Sequence, residues 1–286
     1  MLKSKLLLAL AGVWFSGAAT AATWNIVYPR PMSELDDRTR YPVELLTLAL
    51  EHTGVNFKLT ASDRIMLQGK AISQLESNRE INVLWSMTDN QREEELLPIR
   101  IPIFKGLIGL RLPLVKIGSR ANFTNINNLQ ALLNFRPISG SDWPDTKILQ
   151  ANGFDVVMAE DYDQLFYSLQ QERGDFLPRS VVEIWYEFEL HVDQQPLSID
   201  SNVGLYYPTA TYFFVNRKNV VLAKLIESGL EKIIANGKFD ELFMFEHKAM
   251  LENAGLEQRT ILHLDNPILP AQTPLSRKEL WHPVPE

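Results

Sequence analysis

The apolar and polar positions along the chain resolve into strands and helices in turn. Residues 24–28 form a short run that predicts a first strand, stopped by Pro29 and Pro31. A polar stretch over 33–40 leads to a helix. Pro42 suits its first turn, Leu45, Leu46, Ala49 and Leu50 make a stripe at helical spacing, and Gly54 ends it. Residues 55–59 alternate as a second strand, and 81–85 form a third. This β–α–β order predicts parallel pairing through helical crossovers. Another strand is predicted over 106–116. A second unit then begins, with a helix over 127–133, a strand over 136–139 and a helix over 144–152 closed by Gly153. A strand over 154–158 follows, then a helix over 161–171 with Leu165, Phe166 and Leu169 on one face. Gly174 to Phe176 opens a further strand. Residues 206–215 read as one long aromatic strand. Leu222, Leu225, Ile226, Gly229, Leu230, Ile233 and Ile234 recur at spacings of three and four, the clearest helix in the chain, ended by Gly237. A short helix is expected over 239–246. The tail carries Pro267, Pro270, Pro274, Pro283 and Pro285, so it is not one helix. Its Leu269, Leu275, Leu280 and Trp281 predict packing along a surface. No biased linker parts the two units, which argues for strands crossing between them.

The first residues change where this α/β protein is expected to work. Lys3 and Lys5 precede ten apolar residues, and a run of small residues ends in Ala19-Thr20-Ala21. That is the pattern of a cleaved export signal, too short to span a bilayer, with the mature chain starting at Ala22. Its removal takes the net charge from −7 to −9. An acidic chain with no basic tract is a poor nucleic-acid binder. With no cysteine, the chain has no disulfide framework, thiolate metal site, thiol nucleophile or lipid-anchored cysteine.

Three stretches resemble one family. Ser86-Met87-Thr88-Asp89-Asn90-Gln91-Arg92 is similar to the S/T-x-T-x-x-R signature of family 3 extracellular solute-binding proteins, the periplasmic polar amino-acid binders, and residues 97–103 follow it as the family's next segment. Leu169 to Phe176 resembles the family's L-x-x-G-R-x-D, and residues 213–243 its return strand and helix, ending in Asn236 to Leu242. The resemblance implies a type II periplasmic binding fold: two Rossmann-like lobes joined by crossing strands, closing around a solute. Lobe one would comprise 22–112 and 207–286, and lobe two 113–206, in a monomer with no cofactor. The implied role is delivery of a small polar or anionic solute, amino acid-like or an organic acid, to an ABC-type transporter in the inner membrane. A ligand-sensing or partner-presenting module, or a dehydratase-like enzyme on the same fold, are the alternatives.

The resemblance also nominates residues. Arg92 would hold a carboxylate through its planar fork, with Thr88, Ser86 and Trp85 beside it. One residue more than usual separates Ser86 from Arg92. Arg100 and Arg111 are rival anion binders, and Arg111, in an apolar strand, is expected half-exposed at a sheet edge. Ser141, Asp142 and Trp143 precede a helix opened by Pro144, where the family presents backbone amides to the ligand. Tyr28 or Arg30 would form a cleft wall. The family's ammonium-binding Asp is absent: its place falls on Ser180, preceded by Arg179, which would suit an anion. Ser180 to Glu183 reads as a capping box opening a helix. Glu183 and Glu34 are the acids an enzyme would use. His52, His191, His247, His263 and His282 are scattered, none at metal-ligand spacing.

Overall fold

The computed structural model describes residues 22–31, 37–119, 123–193 and 196–285. The export signal over 1–21 and Glu34 lie outside them. In one lobe follow β1 (Trp24–Arg30), α1 (Arg40–Glu51), β2 (Phe57–Ile65), α2 (Gln68–Glu76), β3 (Val83–Met87), α3 (Asn90–Glu95) and β4 (Leu97–Ile99). The other lobe holds β5 (Leu110–Lys116), α4 (Leu129–Leu132), β6 (Ile138–Gly140), α5 (Pro144–Ala151), β7 (Val157–Ala159), α6 (Tyr162–Gln170), β8 (Phe176–Ser180), α7 (Ile184–Val192), β9 (Leu197–Ile199) and β10 (Val203–Tyr206). The chain returns through β11 (Thr211–Val215), α8 (Val220–Ala235) and α9 (Lys238–Ala254), and ends with β12 (Thr260–His263) and an extended tail.

In the first lobe β1 and β2 pair in parallel, as the β–α–β order predicts, and β11 lies between β3 and β4, antiparallel to both. The pairs join where Asn82 N donates to Val27 O and Val27 N donates to the Asn82 side chain. The stripe of α1 faces the stripe of α8. At Gly229 a Cβ would lie 2.2 Å from the Ala49 carbonyl oxygen, so only glycine lets these helices approach. The second lobe carries β12, β10, β5 and β8 side by side, with β9 also on β5 and the parallel pair β6 and β7 adjacent. Pro144 opens α5, and the Asp161 side chain caps α6 by accepting from Gln164 N.

Several elements depart from the reading of the sequence. The long aromatic strand is two strands, β10 and β11, broken over Tyr207 to Ala210. Pro208 has no N–H to give a ladder, and there the chain changes lobe. The outgoing passage lies against it: Tyr207 N donates to Gly109 O, and a Cβ at Gly109 would sit 2.1 Å from Tyr207 O. The capping box does not form. Ser180 ends β8, its hydroxyl donates to Leu107 O, and α7 begins only at Ile184 without a side-chain cap. The helix expected over 239–246 continues to Ala254. The stretch between α9 and the proline-rich tail joins the other lobe's sheet: β12 runs parallel to β10, and Asp265 exchanges two hydrogen bonds with the Asn152 side chain. The tail then passes to the first lobe. Arg277 pairs with Glu231 of α8, Lys105 Nζ donates to Glu279 O, and Leu280 is fully buried.

Candidate functional site

A cavity of about 390 Å³ lies between the lobes, lined by residues from both. The first lobe's wall is largely apolar and aromatic: Tyr41, Met66, Leu84, Trp85, Phe104 and Met250. The Tyr41 hydroxyl is satisfied inside the wall by donating to Ile103 O. His247 packs edge-on to Tyr41, ring centroids 4.4 Å apart, and shares a hydrogen bond with Phe243 O. Burial pushes its pKa down to about 4, so near neutral pH it adds no charge.

The second lobe's wall is ionic. Arg111 is not at a sheet edge: it lies on β5 between β8 and β10, only 3% exposed. A buried arginine must be paired, and its Nη2 meets Asp145 Oδ1 at 2.5 Å while Nη1 lies 3.4 Å from Glu183. Its Nε has no hydrogen-bond partner among the described residues. Asp145 also accepts from the Tyr207 hydroxyl. Arg179, equally buried, forms a two-point pair with Glu187 at 2.6 and 2.7 Å, approaches Glu183 at 3.2 Å, and stacks 4.6 Å from the Trp143 ring. Burial alone would raise the Glu187 carboxyl. Arg179 and Arg38 outweigh it and hold the group below the usual carboxylate range. Burial would likewise lower Arg111 and Arg179, and the carboxylates facing them keep both raised.

Of the residues nominated by sequence, Arg30, Trp85, Ser86, Asp142, Trp143 and Arg179 line this cavity. Arg30 is steadied by Nε donating to Ser62 O, and Ser86 accepts from Gln68. Arg111 and Glu183 also line the cavity, whereas Arg92, Thr88, Arg100, Tyr28 and Ser141 sit outside the lining. Arg92 is buried in its own turn: its N–H is capped by Asp89, its Nη1 donates to Met87 O at 2.9 Å, and burial lowers its pKa. The Thr88 hydroxyl donates to Glu93, which also holds Arg100 away from the cleft. Tyr28 packs on Trp85, and Ser141 faces Glu160. Sequence reasoning did not single out Asp145, Tyr162, Arg38 or His247, which line the cavity, or the buried Glu187 that pairs with Arg179. Glu187 and Arg179 stand eight positions apart on different elements, a spacing that carries no local signal. Among the described residues no cluster of three metal-binding side chains occurs, and no helix is long and apolar enough to cross a membrane.

No family model matches the chain, and no curated relative matches it. Solved structures do. The chain is similar to an ancestral arginine-binding protein bound to arginine, at 16% identity over 78% of this chain and 97% of that one, TM-score 0.56. It is similar to a histidine kinase sensor domain that itself resembles periplasmic binding proteins, at 14% identity, 79% and 96% coverage and TM-score 0.56. The chain has the type II periplasmic binding fold. A third structure with this fold, an ancestral amino acid-binding precursor of cyclohexadienyl dehydratase, is 11% identical over 78% of this chain and 95% of that one, TM-score 0.56. The cavity lies at the junction of the two lobes, where the largely aromatic wall and the ionic wall meet.

Proposed function

We propose that this chain is an exported periplasmic solute-binding protein that holds a small polar solute between its lobes and delivers it to a membrane transporter. The observation that carries the reading is the cavity itself, lined from both lobes by one aromatic wall and one ionic wall. Pockets of this size with few convergent polar groups are the usual seats of small ligands. A solute bearing both charge signs fits better than a bare organic anion, because Arg111 and Arg179 already face Asp145, Glu183 and Glu187. The partnerless Arg111 Nε offers one donor to a solute oxygen. Trp85, Ser86, Arg30, Asp142, Trp143 and Arg179 are proposed contacts, with Arg92 and Thr88 shaping the turn behind Ser86 and Met87, and Tyr28 and Ser141 supporting Trp85 and the α5 entry. The arginine-binding and amino acid-binding proteins of the same fold support a binding role over an enzymatic one. A sensory role, supported by the kinase sensor domain, would use the same cavity.

A thermal-shift screen of the purified protein, refolded to strip carried-over solute, tests this reading against amino acids, carboxylates, polyamines and short peptides. A solute at a hundred times its Kd adds about 2.7 kcal/mol, a rise of several degrees for a chain of this size. The expected outcome is a rise with one solute class that Asp142→Arg, at an exposed cleft position, removes. No rise with any class would overturn the reading.

A further inference from the structure

The second lobe's wall does not balance its own charge. Arg111 and Arg179 face Asp145, Glu183 and Glu187, and the cavity's edge on that side adds Asp142, Glu160 and Asp161. The missing positive charge comes from the other lobe. Arg38, in the turn before α1, reaches across the cleft, and its Nη1 lies 3.1 Å from Glu187 Oε1. Its guanidinium carbon stands 5.0 Å from the centre of the Tyr162 ring and 5.8 Å from that of Tyr186. Two aromatic rings and a fully buried carboxylate, supplied by α6 and α7, make a receptor for a cation. Ring faces attract positive charge, and a desolvated carboxylate requires it. The Arg38 side chain is 26% exposed and so stands at the solvent edge of this receptor, while Glu187 beneath it is fully buried.

We propose that Tyr162, Tyr186 and Glu187 form a cation subsite of the second lobe, and that Arg38 is its built-in occupant, which a solute carrying a guanidinium or ammonium group displaces. This rests on the reading that the cleft binds a small solute, and it names the chemistry of one end of that solute. A neutral or purely anionic solute has nothing to offer in exchange for Arg38, because it leaves Glu187 with one partner fewer. Arg38 thereby sets specificity: it competes with every cation on equal chemical terms and is removed only by one whose remaining atoms also find contacts in the cleft.

Agmatine, which carries a guanidinium and an ammonium but no carboxylate, is the probe. Its affinity is measured by isothermal titration for the full protein and for Arg38→Ala. Removing the competitor is expected to raise agmatine affinity tenfold or more, and Tyr162→Leu in the Arg38→Ala background is expected to abolish that gain. Glu187→Gln would report on the same subsite, but it disturbs the Arg179 pair, so the Tyr162 variant is the deciding one. An agmatine affinity unchanged or lowered in Arg38→Ala overturns the proposal, the lowered case marking Arg38 as a closing latch. A gain that survives Tyr162→Leu overturns it as well. If the protein binds another solute from the screen while agmatine shows no gain, the subsite fails alone. If nothing binds to any form, the solute-binding reading fails with it.

Discussion

The two walls of the cleft solve the same problem by opposite means. The first lobe's wall sets a few charged groups, Arg30, Arg38, Arg40 and Glu246, among apolar and aromatic side chains: its histidine is kept neutral by burial, its tyrosine hydroxyl is turned into the wall, and Arg92 and Arg100, outside the lining, are satisfied by Met87 O and Glu93. The second lobe's wall is built of charge, with buried arginines and carboxylates drawn from β5, α5, β8 and α7. The contrast shows why a motif such as Ser86 to Arg92 is conspicuous in sequence yet self-contained in space. The ionic wall is conspicuous in space and scattered in sequence. An apolar wall tolerates substitutions one at a time, whereas a buried ionic wall fails as a unit, because each removed partner strands another charge.

Glu187→Ala carries the largest expected effect. It leaves the buried Arg179 with Glu183 as its one remaining carboxylate and should lower stability by about 3–5 kcal/mol in chemical denaturation. A loss under about 1 kcal/mol would break the contrast, placing the second wall with ordinary surface pairs. Next comes acid sensitivity on the opposite wall. The unfolded chain protonates His247 near 6.5 and the native one near 4, so the unfolded state takes up protons first as the pH falls. The stability this group contributes is present above 6.5 and is lost as the pH falls to about 4, a change of about 3 kcal/mol. His247→Gln should flatten that portion of the pH–stability curve, and an unchanged slope would show the first wall to be wet. The smallest effect belongs to Arg100→Ala, whose pair with Glu93 is about one-third exposed on the arginine side. It should lower stability by less than about 1 kcal/mol, and a larger loss would show that the first lobe also depends on a charge network.

The fold was legible because its elements are periodic. The stripes of α1 and α8, Pro144 at the start of α5 and the Asp161 cap of α6 are local signals, and each marks a real element. The site was legible only where it sits on such signals, as with Trp143 beside Pro144 or Ser86 at the end of β3. Arg111 misled for a physical reason. An arginine among leucines reads as a sheet edge unless its counterions are known, and Asp145 and Glu183 come from elements 34 and 72 positions away. The capping-box reading of Ser180 to Glu183 was a local pattern overridden by tertiary pairing: the serine hydroxyl is engaged with Leu107 and the glutamate with two arginines.

The tail has a mechanical consequence. It is fastened to one jaw at Asn152 and to the other at Glu231, with Asn266 tied to Pro208 between them. From residue 266 to residue 277 the backbone can stretch roughly 36–40 Å when fully extended. Pro267, Pro270 and Pro274 keep that length from coiling into a helix that would resist extension. Such a cord sets an upper limit on how far apart its two anchoring points can lie. The bonded crossing at Gly109 and Tyr207 and the tail are thus two separate ties between the same two lobes.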